Sequence, residues 1–150
     1  MAQSDVKALI HTFATPLTWW STRRQYQRYW QEQQDNQRVM LIAWHEDKIA
    51  GYVNLLCPAQ YQGFQKAGIP EINDLVVVTQ YRKQGIGTAL MDEAEHLARE
   101  QGHAVVGLGC GDTAYYSAAQ RLYKKRGYVP DASGPQTTPW GLMTYMTKSL

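Results

Sequence analysis

Cysteine is scarce. Cys57 and Cys110 are the two in 150 residues, they form no CxxC pair, and no His/Cys spacing fits a zinc site. This argues against a disulfide framework and a structural metal. His11, His45, His96 and His103 are scattered along the chain. No apolar run approaches the roughly 18 residues that a membrane span needs, and the N-terminus does not read as a signal peptide. Neither sign of charge dominates: 15 Lys and Arg against 13 Asp and Glu leave +2, too little to argue for nucleic acid. Repeats, low-complexity stretches and linkers are also missing. What remains is one domain over residues 1–150, expected to be cytoplasmic and reduced. Its 44% hydrophobic and 19% charged residues suffice for a real core.

The elements that are present alternate in type. Ser4 or Asp5 can cap a short helix through Ile10, and Ser21 or Thr22 a second helix to about Gln34. Arg38 to Trp44 and Ile49 to Leu56 read as a hairpin around a polar turn. Pro58 to Pro70 reads as a loop. Ile72 to Val78 is apolar on both faces, as a central strand is. Ile86, Leu90, Ala94 and Leu97 give helical spacing over Gly85 to Gln101, closed by Gly102. A short strand over Ala104 to Leu108 follows, then a helix over Thr113 to Arg126 ending at Gly127. Tyr128 and Val129 start a strand, Asp131 to Gly141 is a long loop, and Leu142 to Thr147 a last strand. This order predicts a mixed α/β sheet that need not be all parallel.

The densest chemical signal is residues 74–90, where the β-branched run ends and Arg82-Lys83-Gln84-Gly85-Ile86-Gly87-Thr88 opens the helix. Glycines at 85 and 87 let a ligand approach backbone N–H groups at the positive end of a helix dipole, with two cations beside them. That suits a diphosphate. Competing motifs fit less well. A P-loop needs Lys after its glycine, and none follows Gly85 or Gly87. A Rossmann turn needs a third glycine where Leu90 stands, and follows its strand without a gap. Val105 to Asp112, with Gly107, Gly109 and Gly111, looks like a methyltransferase cofactor motif. Yet Gly107 stands where that motif carries an acidic residue, and fewer than 40 residues remain for the fold it opens.

Arg82-x-x-Gly85-x-Gly87 resembles the pyrophosphate signature of the GNAT superfamily of acyl-CoA-dependent N-acetyltransferases. "EINDLVVVTQYRKQGIGTALMDEAEHLA" looks like that family's fourth strand, loop and third helix, and "KIAGYVNLL" like its third strand. "AAQRLYKKRGYVP" is similar to its next helix, ending in Leu122-Tyr123 and Gly127-Tyr128, and "YMTKSL" to its last strand. The resemblance covers most of the chain in the right order. It implies a central mixed sheet splayed at the strand carrying residues 72–78 and flanked by about four helices. It also implies acetyl-CoA as donor without metal, transfer by direct attack to a primary amine of a small molecule or peptide, and a possible homodimer. The pyrophosphate would lie on Arg82, Lys83, Gln84, Gly85, Ile86, Gly87 and Thr88. The pantetheine would pair with the backbone of Val76, Val77 and Val78.

The resemblance also assigns roles. Tyr123 matches the tyrosine that protonates the departing thiolate. Reference pKa values of roughly 10 for a phenol and 8.5 for a thiol make the donation plausible. The bland alternative is a packing tyrosine. Glu71 and Asp74 start the central strand, where a carboxylate base is often placed. Strand alternation puts them on opposite faces, and Glu71 is chosen. Tyr116 stands where the family commonly has a cofactor-contacting asparagine, with Ser117 and Gln120 as substitutes. Trp19, Trp20, Tyr26, Tyr29 and Trp30 either line the acceptor cleft or belong to the core, and core is favoured. Tyr61 and Phe64 are further candidate cleft residues, and the loop Asp131 to Gly141 a candidate lid. A non-catalytic acyl-CoA-binding module is the second reading. An acetyltransferase of aminoacyl-tRNA is a third, with little support from the charge.

Overall fold

The structure is a computed structural model describing residues 1–150. Two helices, α1 (Gln3–Phe13) and α2 (Trp19–Gln34), precede the hairpin β1 (Arg38–His45) and β2 (Lys48–Leu56). Then come α3 (Gln62–Ala67), β3 (Glu71–Val77), α4 (Ile86–Glu100), β4 (Val105–Gly111), α5 (Ser117–Lys125), β5 (Val129–Pro130), β6 (Gln136–Thr138) and β7 (Gly141–Ser149). The 7-stranded sheet runs β1-β2-β3-β4-β7-β5, with β6 on β7. Only β3 and β4 pair in parallel. The predicted mixed α/β sheet is therefore observed, with β3 in its interior.

Its two faces are covered differently. On one, α4 lays Leu90, Met91, Ala94 and Ala98 against Val53, Leu55, Ile72, Val106, Leu108 and Met146. At about 25 cal/mol per Å² of apolar burial, this larger cluster carries most of the drive to fold. On the other, α1 and α2 bring Leu9, Ile10, Tyr26 and Tyr29 onto Met40, Ile49 and Tyr52.

Several element ends differ from expectation for local reasons. α1 starts at Gln3 because the Ala2 N–H donates back to Asp5 Oδ2 (2.6 Å), and it continues to Phe13, whose ring packs edge-on against Tyr52. The stretch 58–70 is not all loop: α3 forms within it, anchored by the buried ring of Phe64 and stopped by Gly68 at φ 68°. Inside the 131–141 loop, β6 pairs with β7 around Gly141. β4 runs on to Gly111, so the glycine-rich segment is strand and no cofactor turn. Its glycines clear one face. A Cβ at Gly107 would lie 2.5 Å from the Phe64 ring, one at Gly109 2.9 Å from Tyr145, and one at Gly111 2.4 Å from Tyr116.

Candidate active site

Two features of β3 shape the site. It pairs with β4 only at Glu71↔Gly107 and Ile72↔Leu108, and beyond Ile72 the two strands diverge. This is the splay the resemblance implied. The second feature is a bulge. Tyr52 pairs with Val76 and Asn54 with Asn73, so β3 carries one residue more than β2 across this step, and Asp74 sits at φ 52°. The extra residue cancels the alternation. Glu71 and Asp74 therefore share the α1–α3 face, and the expectation of opposite faces is corrected.

At the open end of β3, Val78 N–H still donates to Ala50 of β2 (2.8 Å), and a 3-10 turn over Thr79–Tyr81 leads to α4. Arg82 folds back and its Nε donates to the Val77 carbonyl at 3.1 Å, clamping the turn to the strand. Gly85 caps α4 in the left-handed region (φ 82°), with open space where a side chain would be. No side chain caps this end and no acid stands in the first turn. The first helical N–H groups, of Ile86, Gly87 and Thr88, have no acceptor one turn back. A pyrophosphate fits this cradle: unpaired donors, a positive dipole end, glycine clearance and the exposed cations Arg82 and Lys83. All seven predicted residues of the loop stand together here.

Tyr123 projects from α5 into the large core and is 8% exposed. Burial, and then the neighbouring Cys110, push its phenol above the ordinary range, so it stays protonated. Cys110 lies on β4 beyond the last β3 pair, which places Tyr123 by the diverging half of the sheet. A buried ion cluster fixes α5. Arg126 and Lys148 both reach Glu95 Oε2, at 3.0 and 2.6 Å, and Tyr128 donates to Glu95 Oε1 at 3.0 Å. Burial alone would raise the Glu95 pKa, but the hydrogen bonds from Arg126 and Lys148 outweigh it and hold the carboxyl low.

Across the sheet, Glu71 is buried, and its Oε2 accepts the N–H groups of Gln60 and Tyr61 at 2.8 and 2.9 Å. Asp74 is exposed and accepts from the Tyr29 hydroxyl and from Asn54 Nδ2. Tyr61 stacks on Tyr145 at 3.6 Å beside them, and its hydroxyl donates to Ser133. The N-terminal aromatics divide. Tyr26 and Tyr29 are core, as favoured, but Trp20 is 75% exposed. Tyr116 lays its ring over Gly111 while its other side stays exposed. Gln120 donates to the Gly111 carbonyl at 2.8 Å, which occupies the amide offered as a substitute contact. Sequence reasoning missed Asn54 and Tyr145. Asn54 is the one amide in the buried run 49–56, a signal that was there to be used.

A sheet splayed at β3, with a glycine-bounded helix start at the open end, defines an acyltransferase-type fold. The match to the acetyltransferase (GNAT) family model spans residues 6–128, and the chain belongs to that family. No curated protein matches the chain significantly. Three solved structures illustrate the fold. The ribosomal-protein-alanine N-acetyltransferase of Brucella melitensis is 21% identical with a TM-score of 0.75, covering 100% of this chain and 97% of its own. The PaiA N-acetyltransferase of Thermoplasma acidophilum, with coenzyme A, is 18% identical with a TM-score of 0.72, covering 100% and 96%. An aminoglycoside 6'-N-acetyltransferase, also with coenzyme A, is 19% identical with a TM-score of 0.71, covering 99% and 92%. No helix is long and apolar enough to cross a membrane.

Proposed function

We propose that this acetyltransferase moves the acetyl group of acetyl-CoA to a primary amine of a small molecule or peptide by direct attack. The observation that supports it best is the divergence of β3 from β4 after Ile72, which exposes strand edges between the cradle at Ile86–Thr88 and the carboxylates at Glu71 and Asp74. Acetyl-CoA supplies a thioester whose carbonyl carbon is open to an amine. Gln84 to Thr88, with Arg82 and Lys83, hold the pyrophosphate. Val76, Val77 and Val78 orient the arm through their backbone. Glu71, fixed by its two backbone donors, takes the amine proton; being buried, it does so through water. Tyr123 hands its proton to the departing sulfur. The apolar walls that raise the phenol would raise a thiolate beside it too, so the pair stays matched.

Thiol release from acetyl-CoA across a panel of amines, set against calorimetric binding of acetyl-CoA, tests this. Amine-dependent release is expected. Binding without release for every amine would leave a non-catalytic acyl-CoA module, the second reading.

A further inference from the structure

The α1–α3 face of the sheet carries an unpaired buried acceptor between two carboxylates. Asn54 is 0% exposed; its Nδ2 lies 3.4 Å from Asp74 Oδ2, and its Oδ1 has no partner. A carboxylate only accepts, so the amide nitrogen must face Asp74 and the unpaired atom is the carbonyl oxygen. Such an oxygen calls for an N–H or O–H donor.

Asn54 pairs across the sheet with Asn73, whose Nδ2 donates to Glu71 Oε1 at 3.4 Å. The bulge at Asp74 keeps all four residues on one face, so Glu71, Asn73, Asn54 and Asp74 form one polar row. Its field is negative and reaches its neighbours. After burial, Asp74 is among the causes that raise the phenols of Tyr26, Tyr29 and Tyr52. Glu71 and Asp131 act likewise on Tyr145. The cation on this face, Arg38, lies over the Tyr29 ring, is paired with Glu32 at 2.7 Å and has a buried, unpartnered Nη1; its charge lowers the Tyr29 and Tyr52 phenols less than burial and Asp74 raise them, so it offsets the row only in part. The Tyr61–Tyr145 stack adds a π-face beside Glu71, which suits a cation as well.

We propose that this row recognises the acceptor and selects an amine bearing a second positive charge. The ammonium group that is not acetylated sits on the exposed carboxylate of Asp74 and, as the side chains over Asn54 part, gives one N–H to Asn54 Oδ1, which is closed to solvent without it. The reacting amine lies toward Glu71, where β3 and β4 part. The proposal rests on the acetyltransferase reading of the same cleft and names its substrate class, a small dicationic amine.

The test uses the full chain with acetyl-CoA and three acceptors: 1-aminobutane, 1,4-diaminobutane and an amino sugar with two amines. At least one dication should exceed the monoamine in kcat/KM by about tenfold, and the ratio between the dications tells a linear from a ring-borne source. Asp74→Asn should bring the dication-to-monoamine ratio close to one. Equal rates for mono- and dications in the unmodified protein, or an unchanged ratio in Asp74→Asn, would overturn the proposal. Calorimetry in the presence of coenzyme A, which has no acetyl group to give, provides a readout without turnover. It should show 1,4-diaminobutane binding the unmodified protein more tightly than 1-aminobutane, and equal binding would count against the row. Absence of thiol release with every amine would sink the acetyltransferase reading, while this binding comparison still decides the dication site.

Discussion

The two faces of the sheet are built on opposite principles. Toward α4 and α5 the wall is mostly aliphatic, with Tyr123 and one ion cluster around Glu95, and the donor cradle at its edge is made of backbone: N–H groups of α4 and strand edges of β3. Toward α1, α2 and α3 an aliphatic patch around Leu9, Ile10, Met40 and Ile49 gives way to phenols, amides and carboxylates drawn from β2, β3, β7, α2 and the turn before α3. One face is organised to hold a fixed donor. The other is organised by side chains, which can be changed one at a time without disturbing the first. The difference suggests that donor and acceptor specificity are separable in this fold, and substitutions on each side should show it.

The largest effect is expected from the buried cluster that seats α5. Glu95→Ala leaves Arg126 and Lys148 without their shared partner and should destabilise the fold by about 3–5 kcal/mol in denaturant unfolding. Because the folded Glu95 pKa is lowered, its stabilisation is full above the unfolded carboxylate value of roughly 4.3. It is lost as pH falls through the lower folded value. Below about pH 4 the gap in stability between the unmodified protein and Glu95→Gln should therefore shrink. A gap that is constant with pH would mean the ion cluster is not what matters.

Next is chemistry. Tyr123→Phe keeps the core ring and removes the proton, so kcat should fall by about 10²-fold with acetyl-CoA affinity little changed. Full activity in that variant would make Tyr123 a packing residue alone.

Smaller again is Gly107→Ala, which sets a Cβ 2.5 Å from the Phe64 ring and should lower stability by about 1–3 kcal/mol. Phe64→Leu in the same chain should recover part of the loss. Recovery would confirm that the β4 glycines exist to seat aromatics on the acceptor face.

The smallest effect is a reactivity difference between the thiols. Burial, with Asp112 nearby, pushes Cys110 up to about 11, while Cys57 is exposed. A thiol reagent at about pH 8 should label Cys57 and spare Cys110. Rapid labelling of both would mean that the sheet face opens more readily than its burial implies.

The same contrast explains what was legible in the sequence. The cradle was readable because its parts are adjacent: a β-branched run, two glycines and a periodic helix lie within residues 72–101. Helix stops were readable for the same reason, and Gly102 and Gly127 both adopt positive φ where they were expected to. The acceptor face was not readable, because its contacts span long separations. Tyr29 meets Asp74 45 residues on, and Tyr61 stacks on Tyr145 from across the sheet. Bulges misled most: a period-2 pattern cannot reveal the one extra residue at Asp74, and that residue sets which face a carboxylate takes. The glycines of β4 misled in a second way. They end the expected strand at Leu108, three residues early, because the partners that fill their clearance, Phe64, Tyr145 and Tyr116, lie elsewhere in the chain.

Whether the backbone holds the donor is read directly by amide hydrogen exchange with and without acetyl-CoA. Protection should rise at the amides of residues 73–78 and 84–88 and stay unchanged in α1 and α2. Protection confined to α1 and α2, with none in those two segments, would show that the backbone does not hold the donor.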